Sequence, residues 1–143
     1  MTVKQALKEK NKLVVEIMKL YVIAKEHNSV EEGNPRRYSV IESLEKASEL
    51  TNQLVELKAK IHRANAPVYE KIFLMSELKS AAKTLKSLNC EEGKVIERYG
   101  SSVSIKNVEV NVKEKDMMLK NIEEKIEKLQ DELDIHNATT YVV

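Results

Sequence analysis

Only five residues in this chain are strong helix breakers, and they fall in three narrow zones: Gly33 with Pro35, then Pro67, then Gly93 with Gly100. Sandwiches and barrels need many tight turns, and their turns consume glycine and proline. A chain with so few is instead cut into four long pieces. Those pieces are rich in Ala, Glu, Lys and Leu, which helices tolerate well. At 143 residues the whole is the size of one ordinary domain.

Apolar residues inside the pieces recur at three- and four-residue steps, the mark of an amphipathic helix. Val3, Leu7, Val14, Ile17, Tyr21 and Ala24 mark the first, and Leu13, Met18 and Leu20 widen its stripe beyond a narrow two-stranded seam. Ser39 and Glu42 stand at capping-box separation and open the second, with Asn34-Pro35 as a competing start. Leu44, Ala47, Leu54, Leu57 and Ile61 carry its apolar face, and Pro67 stops it. Tyr69, Ile72, Phe73, Met75, Leu78, Ala82, Leu85 and Leu88 mark a third helix that ends near Asn89-Cys90. Asn111 and Glu114 open the fourth, in which Leu119, Ile122, Ile126, Leu129, Leu133 and His136 follow a heptad spacing.

Between the third and fourth helices the period changes to two. Val103 and Ile105 alternate with Ser, and Val108, Val110 and Val112 alternate with Glu and Asn. One slip of phase at Lys106-Asn107 reads as a tight turn or bulge. The expected fold is therefore mainly all-α: an elongated antiparallel four-helix bundle or coiled-coil hairpins in a single domain, 1–143. Its helices span about 3–27, 39–65, 68–89 and 112–137, with one short strand or hairpin near 102–111. A helix hairpin that completes its core by dimerising is the alternative. An isolated hairpin is marginal in water, so the strand should pack on the helices or pair with another subunit. Val108, Val110, Leu119, Ile122, Ile126, Leu129 and Leu133 are the expected structural or interface residues.

Charge narrows the partners. Lys and Arg total 24 against 23 Asp and Glu, so no global field recruits nucleic acid or anionic lipid. Locally the balance is uneven. Residues 1–30 hold six lysines against three glutamates, and 113–134 hold five lysines against eight acids. Neighbouring first and fourth helices would bring these opposite charges together. The start of the sequence carries no apolar secretory core, and no apolar run approaches the ~20 residues that cross a bilayer. Cys90 is the single cysteine, which excludes an internal disulfide and thiolate clusters. The expectation is a reduced, cytoplasmic protein outside membranes.

Catalytic signatures are missing. Three scattered glycines cannot build a phosphate-binding loop, Gly100-Ser101-Ser102-Val103 lacks the second glycine of a nucleophile elbow, and no His-Glu-x-x-His exists. No enzyme activity and no cofactor are expected. His62 and His136 are candidate metal ligands, because both follow an isoleucine near the end of a helix and an antiparallel bundle brings those ends to one pole. The competing reading is that His136 continues the apolar heptad and simply packs. His27 sits at the opposite pole as a C-terminal cation. Asn65 and Asn137 are candidate left-handed helix caps. The tail Tyr141-Val142-Val143 is expected to pack against the body.

Several strings share a pattern with a known family. They are Gln5-Ala6-Leu7, Ile61-His62-Arg63-Ala64-Asn65, Arg98-Tyr99 before the valine-rich strand, and the heptad helix ending His136-Asn137-Ala138-Thr139-Thr140. Together they resemble the septicolysin-like family of small bacterial proteins, whose members carry Ile-Asn-Arg-Thr-Asn and Asn-Trp-Thr-Thr at the corresponding places. His62, Ala64, His136 and Ala138 depart from that pattern. The resemblance implies a helical, homo-oligomeric bacterial protein. The family's name implies a thiol-activated haemolysin, for which only Cys90 could supply the thiol here. Three readings of function follow: a self-associating non-enzymatic helical protein, a metal- or small-ligand-binding bundle using the His62/His136 pole, and a membrane-lytic protein.

Overall fold

A computed structural model describes residues 1–96, 100 and 102–143. The chain is mostly helical. Helix α1 is Val3–His27, α2 is Val40–Ala64, α3 is Tyr69–Lys86 and α4 is Val112–Thr139, with a short 3-10 turn, Ala66–Val68, ahead of α3. Strands β1 (Gly93–Ile96) and β2 (Val103–Lys106) form a two-stranded antiparallel sheet. Among the described residues no helix is long and apolar enough to cross a membrane. The chain divides into two compact units, residues 1–67 with 135–143, and residues 68–134.

The first unit is built on the α1–α2 hairpin. Thr2 caps α1 through a full capping box: its hydroxyl accepts from the Gln5 amide, and the Gln5 side chain accepts from the Thr2 amide at 2.9 Å. Ser39 caps α2 by accepting from the Glu42 amide at 3.2 Å. The far end of α1 is closed by Arg36, whose guanidinium donates to the carbonyls of His27 and Asn28 and so satisfies carbonyls that the helix leaves open. His27 also lies against the Tyr38 ring, 4.7 Å between centroids. Ala6 and Ala47 are fully buried, and such small side chains let two helix backbones approach closely. Leu13, Leu50, Leu57 and Ile61 join Ala6 in one core cluster, with Leu7, Ile17, Leu20 and Leu54 packed around it.

In the second unit Val68, Met75 and Leu133 form a smaller core, flanked by Ile72 and Leu129. Polar contacts mark the register of α3 against α4. Lys71 meets Glu132 at 3.1 Å, Lys86 approaches Glu123 at 3.9 Å, and Lys115 donates to the carbonyls of Lys86 and Leu88 at the end of α3. The α3 start thus lies beside residue 132 and its end beside residue 115, an antiparallel pair. Glu132 and Glu123 of α4 are thus answered by lysines of α3.

The strand region needs a correction. Residues 103–106 do form a strand, but it pairs upstream with Gly93–Ile96, with Ile96 opposite Val103 and Lys94 opposite Ile105. Val108 and Val110 are not in a strand. They lie half-buried in the segment leading into α4, where Asn111 accepts from the Glu114 amide at 2.8 Å and starts the helix. Helix α3 also stops at Lys86, short of residue 89, because Ser87 turns back onto the Thr84 carbonyl through both its amide and its hydroxyl. Of the expected structural residues on α4, Leu133 is buried and Leu119, Ile122, Ile126 and Leu129 are half-buried. Arg98 and Tyr99, which carry part of the family pattern, and Ser101 lie outside the described residues.

Candidate functional site: the polar pole of the first unit

The first unit gathers its polar side chains where the end of α2, the start of α1 and residues 135–143 meet. His136 sits at the centre, half-buried. Its Nε2 lies 3.1 Å from Asn65 Oδ1, and its Nδ1 lies 3.1 Å from the Thr140 hydroxyl. An amide oxygen can only accept, so Nε2 carries the proton. In the neutral ring Nδ1 then accepts from Thr140, and the three side chains form one directional chain of hydrogen bonds. Thr140 is held by its backbone too, donating its amide to the His136 carbonyl and accepting from the Val3 amide at 2.8 Å.

From Thr140 the tail runs back along the start of α1. Thr2 and Tyr141 form an antiparallel bridge, and the Val142 amide donates to the Met1 carbonyl at 3.0 Å. Val142 packs on the Ala6–Leu57–Ile61 core. Arg63 reaches across to donate to the main-chain oxygen of Val143 at 3.2 Å. The tail therefore packs on the body, as its apolar character suggests.

Of the sequence candidates, the structure brings Asn65, His136, Thr140 and Arg63 into this one pole. His62 is exposed on α2. Both ring nitrogens of His136 are already engaged, so a cation there would have to displace Asn65 or Thr140. No group of three His, Cys, Asp or Glu side chains is placed to hold a metal ion among the described residues. No polar or charged residue is buried among them either. Cys90 is half-buried.

Two cap assignments change. Asn65 does end α2 but in right-handed geometry, φ −85° and ψ −5°. Its side chain is spent on His136. Asn137 lies within α4 and ends nothing. The Thr2–Gln5 box was open to detection from the Thr-x-x-Gln spacing alone. Thr140 as a partner of His136 was open to detection from the i, i+4 spacing. No family model, curated protein or solved structure matches the chain.

Proposed function

We propose that this chain is a self-associating, non-enzymatic helical protein similar to the septicolysin-like bacterial proteins, its helices joining in an antiparallel four-helix arrangement completed by further copies. One observation carries the reading. From Leu13 to Ala24 every residue except Glu16 and Lys19 is apolar, on all sides of α1. A helix apolar all round is a buried helix. Yet α2 covers one side only, and Val14, Val15, Met18, Tyr21 and Val22 are exposed, Met18 by 62%. The sheet adds support: Ile96, Val103 and Ile105 project from one face and are exposed by 74%, 56% and 71%. A two-stranded ribbon with such a face gains stability only when something covers it.

The polar pole fits a structural role. Its hydrogen bonds tie the tail to α1 and α2; Asn65 and Thr140 lie in strings that carry the family resemblance, while His136, which joins them, departs from it. Sedimentation velocity at micromolar concentration is the test. The expected result is a species heavier than the 16.4 kDa chain. A compact monomer throughout that range overturns the proposal.

A further inference from the structure

Helices α1 and α2 have equal length, 25 residues each. Laid side by side in the same direction, with Val3 level with Val40, they match. Leu7, Leu13 and Leu20 stand level with Leu44, Leu50 and Leu57, while the charges are inverted. Lys8, Lys12 and Lys19 meet Glu45, Glu49 and Glu56, Glu9 meets Lys46, and Glu26 meets Arg63. At this offset no two charges of like sign coincide.

Four of the α1 charges, residues 8, 12, 19 and 26, follow steps of four, seven and seven, so they lie in one stripe along the helix. Their α2 counterparts, 45, 49, 56 and 63, do the same. Both stripes lie away from the shared core and all eight side chains are exposed. Within one chain the stripes cannot meet, because the helices run antiparallel: Val3 and the α2 cap Asn65 are joined through Thr140 and His136. A parallel α1–α2 pairing needs two chains.

We infer that the outer stripe of α1, with Val15 and Val22 between its charges, docks on the outer stripe of α2 of a second copy, the helices parallel and in full overlap. This rests on the self-association proposed above and names the surface. The intrachain contacts of these groups are weak competitors: Lys12–Glu9 spans 3.9 Å, Lys46–Glu49 spans 3.3 Å, and the Arg63 bond to the Val143 main-chain oxygen spans 3.2 Å, all between exposed groups. The contact is heterologous, so each copy offers one acidic and one basic face, and association propagates into a ring or an open chain.

The test uses two charge-reversed chains, Lys12→Glu/Lys19→Glu and Glu49→Lys/Glu56→Lys, with helicity checked by circular dichroism. Each alone should associate about tenfold or more weakly than the unaltered chain. An equimolar mixture should recover the original sedimentation, because each reversed face then meets its complement. Moving from 50 to 500 mM salt should weaken the unaltered assembly as well. Three results overturn the inference. If the unaltered chain is monomeric, self-association falls with it. If it assembles and the reversed chains assemble equally well, this surface falls while self-association stands. If both reversed chains are weakened but their mixture is not restored, the α1–α2 pairing falls.

Discussion

Replacing His136 by alanine removes two side-chain hydrogen bonds at once, the one donated to Asn65 and the one accepted from Thr140. A net hydrogen bond contributes about 0.5–1.5 kcal/mol, and a half-exposed position belongs in the lower half of that range. With the lost ring packing, His136→Ala should cost about 2 kcal/mol and Asn65→Ala about 1 kcal/mol. The two changes share one contact, so the double variant should cost about 2 kcal/mol, less than the sum, with a coupling energy near 1 kcal/mol. Urea unfolding followed by circular dichroism at one fixed protein concentration supplies all four corners of the cycle. A coupling below about 0.3 kcal/mol, within the scatter for independent sites, refutes the hydrogen-bonded chain as a stabilising unit.

Leu57→Ala, in the core of the first unit, should cost about 2–5 kcal/mol. Met18→Ala, on the exposed side of α1, should change the unfolding free energy from urea titration by less than about 0.5 kcal/mol while weakening assembly seen by sedimentation. Thr2→Ala dismantles the capping box and should cost about 1 kcal/mol, read as faster amide exchange in the first turn of α1; unchanged exchange would count against the cap. Gly93 has φ +88°, and an added Cβ would meet nothing within 4 Å. Gly93→Ala should therefore carry only the backbone penalty, about 1–2 kcal/mol, lowering amide protection in β1 and β2, and undiminished protection contradicts that account.

The helices were legible because their signals are local and repeated. Breakers and apolar spacing place α1 and α2 within a residue or two of where they lie, and the Ser39 and Asn111 caps mark the starts of α2 and α4. What failed needed knowledge of contacts distant in sequence. The valines at 108 and 110 alternate as well as those in β2, but alternation does not say which segment a strand pairs with. The true partner, Gly93–Ile96, is too short to show a period. Net charge likewise showed that α4 is acidic without showing that Lys71 and Lys86 of α3 would answer it. At the polar pole the sequence singled out Asn65 and His136 but assigned one to a left-handed cap and considered the other for a metal. Only their 3.1 Å separation reveals that each is the other's partner.

The first unit is interrupted in sequence: residues 68–134 are threaded between its main part and residues 135–143. During synthesis the ribosome must therefore make that entire insertion before Thr140 can meet Val3 or Val142 can cover Leu57. Until then the nascent α1–α2 pair has an open seam, and closing it carries the entropy of a long loop. Residues 135–143 thus decide when this part of the molecule finishes folding.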